Sequence, residues 1–367
     1  MDEDDFLPKR FTPTLKKLIK TYEIKYDPAN PCPTDDAMAD RVWQAAWYLL
    51  REVGYYNTDS HRIIQLTDEE IREALYMAHD QYWVGGGKDA VLWKHRAVED
   101  KEPPFCIMSP DITCDEKYHQ SICMAYLKEP LLDGICGPIL EETFGHLIES
   151  SGPTEISGCI QHIYNQKMAA RLLGRPGTFM VAVGTAEHDS GQIAVSDDDW
   201  GVQKTDARLV GSLTEFKTAD TLLNRSLHYA QYGCYTGNLT GAIYGGWCGG
   251  SEGTAVTTVA YSLIGLVIHG AIFNQHFPFQ LNYVSNTTRE LLWAISMAGQ
   301  ALARNSKLLH TSNGFDNAGP MTEMLFRETA VHAMVSTVSG WHLWEMASTR
   351  NQYKNRATPL ESRMGME

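Results

Sequence analysis

Positive charge is scarce: 31 Lys and Arg stand against 45 Asp and Glu, a net charge of −14. Nucleic acid and anionic membrane both select clustered Lys and Arg, so an acidic surface argues against either as a partner. The N-terminus, Met1-Asp-Glu-Asp-Asp5, lacks the basic and apolar regions of a secretion signal. Eight cysteines, at 32, 106, 114, 123, 136, 159, 234 and 248, make no Cys-x-x-Cys pair. With no mark of secretion they read as reduced, mostly buried thiols of a cytoplasmic protein. No Gly-x-Gly-x-x-Gly follows a strand-like run, which weakens a dinucleotide-binding reading, and no internal repeat is present. Long apolar runs are few. The most apolar stretch, 254–273, is interrupted by Thr257, Thr258, Ser262 and His269 and reads as a buried helix rather than a membrane span.

What is present is length and rhythm. With 367 residues, 43% of them hydrophobic, the chain can fill one barrel of about 250 residues and carry an appendage. Residues 1–35 read as a charged arm ending in a Pro-punctuated loop. A helix is expected over 36–53, apolar at Val42, Ala45, Ala46, Leu49 and Leu50. Thr67-Asp-Glu-Glu70 is a capping box opening a second helix, with Gly85-Gly-Gly87 expected to end it. Residues 1–102 therefore form an arm and a helical cap. From residue 103 short apolar runs alternate with amphipathic segments. The runs are 105–108, 134–139, 178–183, 208–213, 239–244, 277–283, 308–312 and 342–346. Eight strands with intervening helices predict an α/β fold, a (β/α)8 TIM barrel over 103–367 with the N-terminal helical cap; a doubly wound sheet is the alternative. In such barrels chemistry gathers where strands end, which directs attention to the loops after each run.

Six stretches are distinctive in series: Thr58-Asp-Ser-His-Arg-Ile63, Gly87-Lys-Asp-Ala-Val91, Gly174-Arg-Pro-Gly177, Tyr244-Gly-Gly-Trp-Cys-Gly-Gly-Ser-Glu252, Asn286-Thr-Thr-Arg-Glu290 and Ala318-Gly-Pro-Met-Thr-Glu-Met324. In this order the chain resembles the monomethylamine:corrinoid methyltransferases, from about residue 33 to its last residue. The resemblance implies a barrel, a homo-oligomer, and transfer of a methyl group from a small methylamine to Co(I) of a separate small corrinoid protein. The corrinoid would belong to that partner, so no permanently bound cofactor is expected. The family's signature residue, pyrrolysine, falls on Val181 when counted from Gly174-Arg-Pro-Gly177. Its neighbouring carboxylate falls on Leu239, and its glutamine and tyrosine on Asn313 and Phe315. The family's chains continue beyond residue 367, so the barrel is expected to be short at its last helix, with an apolar strand face left open.

A valine offers neither electrophile nor proton, so the pyrrolysine chemistry is not available at Val181. Three readings follow. In the leading one the donor arrives already activated, as a small methylated, even quaternary, ammonium that departs as a neutral amine. Aromatic faces and a few acids would line its pocket. Phe179, Tyr244, Trp247, Tyr283, Phe315 and Trp341 are the candidate walls, and Asp111 the charge partner. In the second, a metal held among Glu187, His188, Asp189, Cys248 and Glu252 activates methanol or a thiol; no zinc-ligand spacing supports it. In the third the protein is a non-catalytic or regulatory relative. The substrate-contact set is Asn313, Phe315, Leu239, Asp111, Tyr244 and Tyr283, with Asn313 the favoured polar contact. Lys217 reads as a structural ion pair or a solvated side chain. Glu252 and Glu323 read as helix caps, and Thr287-Thr-Arg-Glu290 as a capping box.

Overall fold

A computed structural model of the chain describes residues 1–181, 183–319, 322–347 and 353–367, with backbone alone for 345–347. Its centre is eight strands: β1 (Cys106–Met108), β2 (Gly134–Ile135), β3 (Phe179–Met180), β4 (Ala207–Gly211), β5 (Tyr235–Thr240), β6 (Phe273–His276), β7 (Leu309–Phe315) and β8 (His342–Ala347). Every neighbouring pair is parallel. The order is β3-β2-β1-β8-β7-β6-β5-β4, and a bridge from Val181 to Ala207 joins the two outer strands. The fold is a (β/α)8 TIM barrel. Helices used below are α1 (Thr12–Thr21), α2 (Asp36–Val53), α3 (Asp68–Met77), α4 (Glu116–Leu127), α5 (Pro153–Leu172), α6 (Asp189–Ala194), α7 (Asp220–Tyr232), α8 (Ser251–His269), α9 (Arg289–Asn305), α10 (Glu323–Val338) and α11 (Leu360–Met366).

The fifth and sixth strands lie about four residues before the apolar runs 239–244 and 277–283. Those runs supply a separate ribbon instead, Ile243–Tyr244 beside Phe279–Gln280. The reason is a polar outward face. The Asn238 amide donates to the Tyr261 carbonyl and to Asn274 Oδ1, both at 3.0 Å. His276 sits between the Thr240 and Ser262 hydroxyls at 2.7 Å each. A strand that meets its helix through hydrogen bonds carries no apolar run.

The first hundred residues are not all helix. α2 occupies the expected span and the Thr67–Glu70 capping box opens α3, but α3 stops at Met77. Gly85-Gly-Gly87 instead turns a hairpin, Gln81–Val84 against Val91–Lys94. That turn docks on the loop before β3. The Gly86 amide donates to the Gly177 carbonyl at 2.8 Å, and the Gly177 amide to Asp89 Oδ2 at 3.0 Å. A Cβ on Gly177 would lie 1.9 Å from the Gly86 oxygen, so only glycine permits this approach. The hairpin delivers Trp93 to the N-terminal end of the barrel. There it stacks on Phe105 at 4.4 Å and packs on Phe273 at 4.9 Å. Phe179, Val181, Ala207, Leu309 and Trp344 complete that apolar cluster.

On the outside, α2 packs across α8 and α9, and Phe6, Phe11 and Leu15 of the N-terminal arm join the same core. α8 is therefore covered on both sides, which explains its all-round apolarity. Among the described residues it is the one helix long and apolar enough to cross a membrane, and 78% of it is buried. The remaining cap expectations change. Thr288, not Thr287, caps α9, through Leu291 N; the Thr287 hydroxyl donates to Glu328 instead. Thr322 caps α10, while Glu323 is exposed and pairs with Arg327. Glu252 accepts from Tyr26 N at 2.9 Å rather than from its own helix. Lys217 makes the expected ion pair, with Glu3 at 3.0 Å. After β8, where a missing helix is expected, α11 packs against β8 and α10, and its Met366 reaches two apolar clusters. Pro320 and Met321, within the last of the six motifs, lie outside the described residues.

Candidate functional site

At the C-terminal ends of the strands the barrel holds a cavity of about 550 Å³, within the usual size of small-molecule sites. Its wall is mostly apolar, from Ile139, Val183, Leu209, Leu222, Leu239, Phe277 and Phe315, and Trp344 is shared between the cavity and the cluster beneath. Among the described residues polar groups are few: Ser109 and Asp111 after β1, Glu187 after β3, Gln192 of α6, Arg225 of α7, Gln275 of β6 and Asn313 of β7. Among the described residues no lysine lines it.

The strand pleat decides which side chains enter. On β6, Gln275 points inward and His276 outward to α8. On β7, Asn313 and Phe315 face the cavity and are clamped by Asn286. Its side-chain amide donates to the Asn313 carbonyl at 2.7 Å, and its Oδ1 accepts from Phe315 N at 2.8 Å. Asn286 is the first residue of a distinctive motif, and holding the end of β7 is its structural task. The loop after β3 is fixed from outside. Glu155 of α5, 1% exposed, accepts from the amides of Ser151, Glu187 and His188 at 2.8, 2.6 and 2.8 Å. A buried carboxylate so surrounded is a strong anchor. Arg225 then donates to the Glu187 carbonyl, and Gln192 Nε2 to the Val183 carbonyl at 3.0 Å. Among the described residues, three amide oxygens, of Gln192, Gln275 and Asn313, have no hydrogen-bond donor, and the Arg225 Nε has no acceptor. Groups of this kind sit in folded proteins where a ligand or water will meet them.

Of the expected contacts, Asn313, Phe315, Leu239 and Asp111 come together around this cavity. Tyr244 and Tyr283 do not; Tyr244 belongs to the outlying ribbon and Tyr283 is 67% exposed beside it. Val181 is fully buried in the cluster below, with Phe179 and Ala207, and Val183 is the β3-side residue that reaches the wall. Of the six aromatic candidates only Phe315 lines the cavity. Phe179 packs under Trp93, the Trp341 indole donates to the Ile295 carbonyl at 2.9 Å, and Trp247 is 46% exposed. The five metal candidates do not converge: Cys248 is buried beside Glu215, Glu252 is engaged with Tyr26, and His188 contacts Asp189 at 2.5 Å. Sequence reasoning missed Gln192, Arg225, Gln275, Phe277 and Trp344. The sixth-strand pair was lost with that strand's register, and no pattern marks two residues on helices.

The model of the family described as monomethylamine methyltransferase MtmB matches residues 1–367. Monomethylamine methyltransferase MtmB2 of Methanosarcina acetivorans is 28% identical over 334 residues, 90% of this chain and 73% of that protein. MtmB of Methanosarcina mazei is similar to the same extent. The crystal structure of the Methanosarcina barkeri monomethylamine methyltransferase superimposes with a TM-score of 0.95 at 26% identity, covering 99% of this chain and 80% of that one. A crystal structure of a hydroxylamine complex of MtmB gives the same figures.

Proposed function

Because the chain belongs to the monomethylamine methyltransferase MtmB family, we propose that it takes a methyl group from a small methylated amine in the mouth cavity and passes it to the Co(I) corrinoid of a separate protein. The observation that carries this reading is the convergence of Asp111, Leu239, Asn313 and Phe315, from the ends of three different strands, on one cavity. That is where barrel enzymes hold their substrates.

All 367 residues are of the standard twenty types, and the reading uses no covalent adduct with the protein. A positively charged donor nitrogen keeps the C–N electron pair and leaves as a neutral amine, so the protein's task is to position and desolvate. The apolar wall removes water, which strengthens the attraction between the donor's charge and Asp111. Asn313 and Gln275 offer amide groups to orient the donor, and Phe277, Phe315 and Trp344 present ring surface to a methylammonium. Under this reading the chain holds no cofactor permanently; the corrinoid is the methyl acceptor, brought by its own protein.

The test mixes the protein with a Co(I) corrinoid protein and a panel of methylated amines, and follows formation of the methylated corrinoid by absorbance. At least one amine is expected to react, with Asn313→Leu slowing it at least tenfold. Absence of transfer from every amine overturns the proposal.

A further inference from the structure

Resting on that reading, the cavity also specifies what the amine carries. Arg225 lines it and is 7% exposed. Its only hydrogen-bond acceptor among the described residues is the Glu187 carbonyl, and its Nε has none. No carboxylate oxygen lies within 4.0 Å of it among the described residues. A guanidinium withdrawn from water is poorly placed unless a negative charge meets it. Of the other buried cations among the described residues, Lys167 is held by Asp206 at 2.5 Å, Arg208 lies over the Tyr229 ring and donates to the Gln192 carbonyl, and Arg96 donates to the Glu102 and Asp100 carbonyls; Arg225 alone of these lines the cavity. A bare methylammonium finds Asp111 and Glu187 in the cavity but brings no negative charge to Arg225.

We infer that the donor is a short zwitterion, a methylated amine bearing a carboxylate, seated with its carboxylate on Arg225 and its methylated nitrogen toward Asp111. The barrel order separates the two anchors. Arg225 comes from the helix after β4, and Asp111 follows β1, which is reached from β4 by way of β3 and β2. A molecule with opposite charges at its ends spans such a cavity, and a guanidinium fork matches a carboxylate in two-point geometry. The amide oxygens of Gln275 and Asn313 accept from any N–H the donor nitrogen bears. In the reaction the nitrogen keeps the C–N pair, the methyl goes to the Co(I) acceptor, and the carboxylate is unchanged.

The test is calorimetric binding to the intact protein, with N-methylglycine, N,N-dimethylglycine and N,N,N-trimethylglycine set against methylamine, tetramethylammonium and choline. Choline keeps the trimethylammonium group and exchanges carboxylate for hydroxyl. At least one carboxylate-bearing amine is expected to bind at least tenfold more tightly than its partner without one. Arg225→Gln should abolish that preference and Arg225→Lys restore part of it, with tetramethylammonium bound no more weakly by either. Equal binding of every carboxylate-bearing amine and its partner without one by the unaltered protein overturns the inference, with no variant needed. Preference for the carboxylate without methyl transfer to Co(I) leaves the inference standing and overturns the proposed reaction instead.

Discussion

Two carboxyl groups outside the cavity are shaped chiefly by burial. Glu215, fully buried after β4, accepts from Ile243 N at 2.9 Å, and burial pushes its carboxyl up from 4.5 to about 7. Asp316, beside the clamped end of β7, is likewise pushed up to about 7. The folded chain holds these protons more tightly than the unfolded chain does. Their contribution to stability is therefore complete below about pH 4 and is lost as pH rises to about 7. Glu215→Gln, which keeps the neutral shape, should flatten the fall in melting temperature between pH 5 and pH 8. The relative gain at pH 8 should be on the order of 3 kcal/mol at most. Melting curves of both proteins at the two pH values check this, and equal slopes would refute it. Neither shift was legible in the sequence, because both depend on what the fold packs around the carboxyl. Leu239, Asn313 and Phe315 were legible through the family resemblance, and Asp111 through its place just after the first strand-like run.

At the scale of elements, hydrogen bonding and close approach matter as much as apolar pattern. α2 could be read to its ends because it follows helical spacing without interruption. β5 and β6 could not, because Asn238, Asn274 and His276 turn polar groups toward α8. The same contact leaves no room on that helix: a Cβ on Gly265 would lie 2.2 Å from Asn274 Oδ1 and 2.5 Å from Asn238 Nδ2. Gly265→Ala should lower stability by about 1–3 kcal/mol despite alanine's better helix propensity, and an unchanged denaturation midpoint would refute the packing account. The hairpin of Gln81–Val84 and Val91–Lys94 makes a complementary case. Two motifs that carry the family resemblance, around Gly87 and Gly177, serve its docking at the end of the barrel opposite the cavity. Trp93→Ala should cost about 3–5 kcal/mol by urea denaturation; a cost below 1 kcal/mol would mean the hairpin does not plug the barrel.

For the whole molecule, one end of the barrel is a solid apolar cluster and the other an open cavity with few polar groups. That division assigns stability to Trp93 and its neighbours and chemistry to the mouth. Barrel and family were readable from the count of strand-like runs and from six motifs in series; the make-up of the mouth was not, because three of its seven polar groups among the described residues come from helices and from a strand hidden by its own polarity. Gly211 permits the most direct test. It lines the cavity, and a Cβ there would meet only Leu239 Cδ2, at 3.9 Å, so a larger side chain fills the cavity without disturbing the backbone. The measurement is the rate of methyl transfer to a Co(I) corrinoid protein by Gly211→Leu and by the unaltered chain, at matched melting temperature. The account predicts a loss of at least a hundredfold; transfer at the unaltered rate would contradict it, since the reaction would then take place somewhere other than this cavity.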